Sequence, residues 1–150
     1  MIIKKIEINN FRSYYKLNVF ELVNGLNLII GSNGDGKTTF YEALEWLFRT
    51  DGSVKVDTKL ISKKRSEELS SDESDEVRVS MTYEHKGYIK TLEKSFRFTK
   101  SYDGEITTSN FSFEFILNYV VLIKQTCTIT ITHNYAYMNI VHFRSKNFPQ

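Results

Sequence analysis

A glycine-rich loop at residues 31–39, with the sequence GSNGDGKTT, constrains this chain more than any other feature. The loop satisfies the pattern G-x-x-x-x-G-K-[ST] in full, and it lies between an apolar run and an amphipathic segment. Gly31, Gly34 and Gly36 allow positive φ angles and a close approach of the backbone to a polyphosphate. Backbone N–H groups and the N-terminus of the following helix can then face an anion. The sequence therefore predicts a strand, a phosphate-binding loop and a helix, in that order.

Side chains of the loop complete the predicted nucleotide site. Lys37 is expected to reach the β and γ phosphates, Thr38 to place its hydroxyl on Mg²⁺, and Thr39 to meet the α phosphate. The remaining loop residues predicted to contact nucleotide are Ser32, Asn33 and Asp35. The alternative is a glycine turn that only joins a strand to a helix, but such a turn does not require a lysine followed by two hydroxyl residues. ATP and Mg²⁺ are the predicted cofactors.

Hydrophobic periodicity places the regular elements around the loop. Ile6 and Ile8 alternate with charged residues, which indicates a half-buried first strand, and a second strand is predicted at residues 16–21. The apolar run at residues 26–30 ends on the loop and predicts a strand that is buried on both faces. The period then changes to that of a helix, which is predicted over residues 37–50.

The middle of the chain is predicted to contain an acidic loop and a β meander. Residues 66–76 hold six acidic side chains and no basic one, and like charges at this density favour a solvated loop. A partner-binding acidic segment is the alternative. Residues 77–108 alternate between apolar and polar side chains, with turn signals at residues 85–87 and 103–104, so an antiparallel meander is predicted.

The last forty residues differ in composition from the rest of the chain. Residues 111–150 contain four charged side chains, no glycine and no aspartate. Residues 113–123 and 126–132 have strand-like patterns, but no turn residues separate them. We hypothesise that residues 1–110 form one lobe and that the reading frame changes near residue 110. The alternative is an ordinary buried β segment.

Three segments within the first fifty residues resemble the N-terminal lobe of the ATPase heads of the structural-maintenance-of-chromosomes (SMC), Rad50, RecF and DndD-type class. The segments are IEINNFRS at residues 6–13, GLNLIIGSNGDGKTT at residues 25–39 and EALEWLF at residues 42–48. The resemblance implies an α/β fold, the N-terminal lobe of a P-loop NTPase head of the ABC type, with a mixed sheet, an antiparallel β meander and an incomplete architecture. It also implies that Arg12 lies near the phosphates and that Asn33 touches the γ phosphate or its magnesium.

In that class, ATP closes two heads into a dimer that acts on DNA in repair, recombination or defence. The resemblance therefore implies DNA, a second head and a nuclease subunit as partners. This chain has no LSGG-like signature, no strand ending in Asp-Glu, no heptad region and no aspartate after Asp103. Gln125 follows an apolar run, but its surroundings do not match a Q-loop and it is not assigned. No catalytic residue is identified, so nucleotide binding is expected without hydrolysis by this chain alone.

Composition excludes several other function classes. The formal net charge is +2, so no overall basic field favours nucleic acid, and the single cysteine, Cys127, excludes an internal disulfide. His85, His133 and His142 lack the spacing of zinc ligands. No run reaches the ~18 apolar residues of a membrane span, so a cytoplasmic protein without membrane contact is predicted. A small P-loop kinase or transferase and a non-catalytic nucleotide-binding module stay open as alternatives, since both would use the same loop.

Overall fold

The computed structural model describes residues 1–49 and 57–117, and its centre is a six-stranded sheet whose pairings are all antiparallel. The strands are β1 (Ile2–Asn9), β2 (Leu17–Glu21), β3 (Ser74–His85), β4 (Tyr88–Lys100), β5 (Ile106–Thr108) and β6 (Ser112–Leu117). The helices are α1 (Lys37–Phe48), a 3₁₀ helix (Thr58–Leu60) and α2 (Lys63–Glu68). The strand order is β2-β1-β3-β4-β5, and β6 pairs with a second stretch of β4.

One face of the sheet carries the core. Ile6 and Ile8 of β1 lie opposite Met81 and Val79 of β3, and all four side chains are buried. The half-buried first strand that the alternation predicts is therefore confirmed. Each apolar side chain of this size contributes about 1.5–3 kcal/mol when it is fully buried.

The apolar side of α1 packs against this core face. Its buried residues recur at the period of a helix: Phe40, Ala43, Leu44, Trp46 and Leu47. The sequence pattern predicts a helix over residues 37–50. The helix ends at Phe48 instead, because Arg49 already has an extended backbone conformation.

Aromatic rings hold both halves of α1 to neighbouring elements. Trp46 lies between Phe11 and Phe96, with ring centroids 5.6 Å and 6.0 Å away, and Phe40 meets Phe20 edge-on at 5.2 Å. Ring pairs of this kind add about 0.5–1.5 kcal/mol beyond the burial of their area. The helix therefore has little freedom to move sideways on the sheet.

The strand predicted at residues 26–30 is wrong. The structure assigns no strand there and only an isolated bridge residue at Leu28, while Leu26 and Ile30 are 72% and 61% exposed. A strand that is buried on both faces needs parallel neighbours and a covering layer on each side. The described part of the chain offers this segment no strand neighbour of that kind, so Leu26, Leu28 and Ile30 are exposed and only Ile29 packs against the core.

The acidic segment at residues 66–76 is not one solvated loop. Its first residues belong to α2, and β3 already begins at Ser74. Arg65 of α2 donates to Glu73 and Asp75, with N···O distances of 2.8 Å and 2.5 Å. A hydrogen bond from the Ser70 N–H, followed by the Arg65 guanidinium, holds the pKa of Glu73 below its ordinary value. The base that precedes the acidic run thus neutralises part of it and fixes α2 to β3.

The antiparallel strands of residues 77–108 begin earlier than the alternation predicts. β3 and β4 pair along the whole length of β3, and their turn has Lys86 at φ 52° and Gly87 at φ 77°. Positive φ at both central residues matches the twist of a two-residue hairpin. The exposed side chain of His85 lies at the end of β3, just before this turn.

β6 occupies part of the strand predicted at residues 113–123. Phe113 and Phe115 face the core from this strand and pack against its buried residues. The rest of that prediction, the strand predicted at residues 126–132 and most of the tail assigned to a changed reading frame lie outside the described residues.

Asn10 fixes the loop between β1 and β2. Its buried side chain donates from Nδ2 to the Glu76 carbonyl and accepts the Lys16 N–H at Oδ1, each at 3.0 Å. Its own carbonyl accepts the Ser62 N–H at 2.8 Å. The residue has φ 52°, a conformation that asparagine adopts more readily than most residues. The side chain of Asn10 thereby joins the loop to β3, and its backbone carbonyl joins the loop to the start of α2.

We expect Asn10→Ala to lower the free energy of unfolding by about 3 kcal/mol, because it removes the acceptor of the Lys16 N–H and one of the two side-chain donors to the Glu76 carbonyl, and places alanine at positive φ. Urea denaturation followed by circular dichroism measures this change. Asn24→Ala is the control, since Asn24 is exposed and accepts a single long hydrogen bond from Lys4 at 3.4 Å. Its expected effect is below about 0.5 kcal/mol. Equal effects of the two substitutions would contradict the anchoring role of Asn10.

Candidate nucleotide-binding site

The loop at residues 31–39 turns into α1 at Gly36, which is the N-cap of the helix. Gly36 has φ 81° and Gly34 has φ 97°, so both positions use the left-handed freedom that only glycine has at little cost. A Cβ atom on Gly36 would also lie 3.2 Å from Ser13 Oγ and 3.4 Å from the phenol of Tyr14. Any other residue at this position would disturb both the backbone and its neighbours.

Gly31 is required for a different reason from the one the sequence suggests. Its φ is not positive, so it does not need the left-handed region. A Cβ atom there would lie 2.8 Å from Oδ2 of Asp35. The carboxylate of Asp35 accepts the Ser32 N–H, and the Asp35 N–H donates back to the Ser32 carbonyl at 3.3 Å. Gly31 therefore leaves room for the Asp35 side chain, which stabilises the loop through its hydrogen bond with Ser32.

The N-terminus of α1 is open to an anion. No side chain caps it, and its first turn contains no acidic residue. The first intrahelical hydrogen bond runs from the Phe40 N–H to the Gly36 carbonyl at 2.8 Å. The N–H groups of Lys37, Thr38 and Thr39 come before this bond and have no acceptor within the helix. These three donors, at the positive end of the helix dipole, fit the phosphates of a nucleotide.

Lys37 lies across the mouth of the loop. Its Nζ donates to the carbonyls of Gly31 and Ser32 at 2.8 Å and 2.6 Å. The side chain is half-buried, and its ammonium is held by the loop. The charge is thereby already close to the backbone donors.

Two hydroxyl side chains follow Lys37, and they face different surroundings. Thr38 is exposed, as a hydroxyl that reaches a hydrated metal ion must be. Thr39 Oγ1 accepts a hydrogen bond from Ser13 Oγ at 3.0 Å. Asn33 is exposed at the tip of the loop. Among the described residues, no group of three or more His, Cys, Asp or Glu side chains could hold a metal ion.

Tyr14 supports the loop through a contact with Gly36, and no sequence pattern indicates this role. Its buried hydroxyl donates to the Gly36 carbonyl at 3.1 Å, and its ring packs edge-on against Phe20. Burial raises the pKa of Tyr14 to about 12. Ser13 and Tyr14 directly follow the predicted Arg12, but 22 residues separate Tyr14 from Gly36. A contact over that distance leaves no periodic signal in the chain.

Arg12 lies against α1 one turn beyond the loop. Its guanidinium pairs with Glu42 at 2.6 Å, and its backbone N–H donates to the Leu60 carbonyl at 2.8 Å. The residue has φ 50°, which the hydrogen-bonded surroundings must maintain. The Arg12 side chain thus contacts α1, the helix that begins in the loop. Its partner on that helix, Glu42, was not indicated by the sequence.

Several other sequence predictions concern residues beyond this site. Gln125, Cys127, His133 and His142 lie outside the described residues. In the described part of the chain, no helix is long and apolar enough to cross a membrane.

Comparison with known proteins assigns the family. The AAA_23 family of AAA domains matches residues 5–143, and the chain therefore belongs to this family. The match includes residues 111–143, part of the tail whose composition suggested a changed reading frame. The α/β class that the sequence predicts agrees with the sheet, the glycine loop and the helix that follows it.

Individual relatives are DNA-repair proteins. RecF, the DNA replication and repair protein of Clavibacter michiganensis, is 43% identical over 58 residues, which is 39% of this chain and 14% of that protein. RecF of Streptococcus uberis is 40% identical over 62 residues, 41% of this chain and 17% of that protein. The DNA double-strand break repair Rad50 ATPase of Nanoarchaeum equitans is 43% identical over 44 residues, 29% of this chain and 6% of that protein.

A similar solved structure is an SMC head domain from Thermotoga maritima. Its TM-score is 0.48 at 19% sequence identity, and the match covers 77% of this chain and 39% of that chain. The family match and the relatives confirm the resemblance to Rad50- and RecF-like ATPases. The chain spans only a small part of the relatives' length.

We expect Tyr14→Phe to lower the free energy of unfolding by about 1 kcal/mol at neutral pH, because the Gly36 carbonyl loses the phenol donor and keeps only the Phe40 N–H. The substitution should also change how steeply the free energy of unfolding falls as the pH becomes alkaline. The folded-state pKa of Tyr14 lies above its ordinary value, so its contribution is complete below pH 10 and is lost as the pH rises towards about 12. Thermal unfolding midpoints across this range should therefore fall less steeply in Tyr14→Phe than in the parent.

Tyr102→Phe is the matched control, since Tyr102 is 81% exposed. It should reproduce the parent at every pH. If the thermal unfolding midpoints of the parent and of Tyr14→Phe fell equally steeply with rising pH, the phenol would not be buried in solution.

Proposed function

We propose that this chain binds ATP with Mg²⁺ through residues 31–39, as the N-terminal lobe of a DNA-acting ATPase head. The observation that carries the proposal is the open N-terminus of α1, which combines unpaired backbone donors with a lysine ammonium already held at the mouth of the loop. A connecting turn needs neither feature. Polyphosphate is the common biological ligand that matches several N–H donors and a mobile cation in one place.

Binding is proposed to proceed by exchange of hydrogen-bond partners. The Lys37 ammonium leaves the carbonyls of Gly31 and Ser32 for phosphate oxygens, and the first-turn N–H groups of α1 donate to the same anion. Thr38 offers its hydroxyl to Mg²⁺, which when bound neutralises charge on the β and γ phosphates. The loop thus exchanges internal contacts for contacts with the ligand and needs no large rearrangement.

Arg12 and Asn33 are proposed to act at the edge of the site. Arg12 is paired with Glu42, so a contact with phosphate requires the guanidinium to share or leave this carboxylate. Asn33 is exposed at the tip of the loop, so its amide can follow the terminal phosphate or its metal ion.

The chain alone is proposed to bind nucleotide without turning it over. Hydrolysis needs a carboxylate near the metal ion and a group that orients the attacking water. The sequence contains no aspartate after Asp103 and no strand that ends in Asp-Glu, which is where such heads carry these two groups. Both groups would have to come from another polypeptide segment or another chain.

DNA, a second ATPase head and a nuclease subunit are proposed as partners of the complete system, in the cytoplasm. The names of the RecF and Rad50 relatives support action on DNA during repair.

A small kinase or transferase fits less well. Such an enzyme closes basic residues over its phosphates, whereas the acidic stretch after α1 is engaged by Arg65 as part of the fold.

We expect Lys37→Ala to weaken the binding of a fluorescent ATP analogue by roughly 10- to 100-fold, because it removes charge-assisted hydrogen bonds to phosphate. The thermal midpoint should stay close to that of the parent, since the lysine bonds only to its own loop. Lys63→Ala is the control: its side chain is 91% exposed on α2, and it removes the same charge from the protein. Equal affinities of the two variants would refute the site.

We expect Thr38→Val to reduce the gain in ATP affinity that Mg²⁺ provides, because valine keeps the shape of threonine but removes the hydroxyl ligand. Binding of ATP in the presence of EDTA should change little. Titrations with and without Mg²⁺ separate the two effects. Thr38→Ser retains the hydroxyl and should recover most of the metal-dependent gain; if it behaved like Thr38→Val, metal ligation by this residue would be excluded.

A further inference from the structure

The C-terminus of α1 is closed by a lysine from the sheet. The last turn of the helix contains no basic residue of its own. Lys94 of β4 supplies one: its Nζ donates to the carbonyls of Trp46 and Arg49 at 3.0 Å and 2.8 Å. These carbonyls belong to the end of the helix that lacks intrahelical donors and carries the negative end of the dipole.

The ammonium of Lys94 is enclosed as well as bonded. The residue is only 5% exposed, and its Nζ lies 4.9 Å from the ring centroid of Trp46 and 4.8 Å from that of Phe111. Two aromatic faces and two carbonyls therefore surround one charge. Lysine is rarely buried to this degree unless its charge is compensated in such a way.

The orientation of Trp46 supports a dedicated cation site. Among the described residues, its buried Nε1 has no hydrogen-bond partner. A buried tryptophan usually pairs this group, and leaving it unpaired is unfavourable. The Lys94 ammonium lies over the face of the ring, and the ring also packs against Phe11 and Phe96. The arrangement favours contact with the cation over satisfaction of the indole N–H.

The apolar contacts of α1 leave one degree of freedom that this site can restrain. Ring and aliphatic packing resists sideways movement, but it tolerates small shifts along the helix axis better than directional hydrogen bonds do. α1 has twelve residues, so its two ends are about 18 Å apart. At that separation, salt screens any direct attraction between Lys94 and a phosphate. An influence of Lys94 on the loop must therefore pass through the position of the helix.

We propose that Lys94 is a positioning residue for the nucleotide loop, because it fixes the axial position of α1 and with it the first-turn donors of the helix. The inference rests on the proposed binding of ATP at residues 31–39. It assigns to β4 a role in ligand affinity that neither the loop motif nor the family resemblance indicates.

The same strand provides a matched control. Lys100 of β4 lies six positions beyond Lys94, and its Nζ donates to the carbonyl of Leu69 at 2.9 Å, just after α2. It therefore closes the C-terminal end of the other helix, which does not lead into the loop. Lys100→Met removes the same charge from the same strand and a comparable helix contact, without acting on α1.

The test compares Lys94→Met, Lys94→Arg and Lys100→Met with the full-length parent. Thermal melts first define a temperature at which every variant is folded, and the affinity for a fluorescent ATP analogue is then measured there at two salt concentrations. Trp46 is the only tryptophan of the chain, so its emission reports directly on the cation site. Loss of the ammonium in Lys94→Met should shift this emission even without nucleotide, whereas Lys100→Met should leave it unchanged.

We expect Lys94→Met to weaken ATP binding about fivefold at both salt concentrations, Lys94→Arg to recover most of the loss, and Lys100→Met to bind like the parent. Parent-like affinity in folded Lys94→Met would overturn the inference and leave Lys94 with a stabilising role only. A loss that disappears at high salt would also overturn it, since the effect would then be electrostatic. If the parent itself failed to bind ATP, the proposed function would fall, and the inference with it.

Discussion

The packing of α1 on the core face of the sheet is the constraint on which the rest of the structure depends. The helix is covered on one side by rings from three different segments, with Trp46 between Phe11 and Phe96 and Phe40 against Phe20. Because Gly36 is both the N-cap of this helix and the end of the glycine loop, whatever fixes α1 also fixes the loop. Local stability and the candidate site are therefore not separate properties of this chain.

What the sequence predicted well depends on local signals. The glycine loop, the start of α1 and the hairpin between β3 and β4 are set by φ preferences and periodicities that extend over a few residues, and all three are present. The contacts that support the loop are of another kind. Tyr14 reaches Gly36 across 22 positions, and Lys94 reaches Trp46 across 48. Neither leaves a pattern in the chain, because tyrosines and lysines in strands and loops are most often read as ordinary surface or core residues.

The two corrections to the fold have a common physical origin. Apolar side chains at residues 26–30 indicate a strand only if neighbouring strands exist, and the described part of the chain pairs its strands without this segment. Acidic side chains at residues 66–76 indicate a solvated loop only if no base compensates them, and Arg65 does so from the adjacent helix. In both cases the chemical character of the residues, apolar or acidic, was interpreted correctly. The outcome depended on a partner, which is a property of the tertiary structure.

In the proposed function, binding and hydrolysis make different demands on such a lobe. The proposed binding uses groups that converge at one helix end: the first-turn N–H donors, the Lys37 ammonium and the backbone of Gly34 and Gly36. All of them come from nine consecutive residues at 31–39, so a short segment is sufficient if the helix behind it is held in place. Hydrolysis instead requires a carboxylate and a water-orienting group brought from distant parts of a fold. A loss of the groups for hydrolysis would therefore leave the proposed binding groups in place, whereas any change that displaces α1 displaces the loop as well.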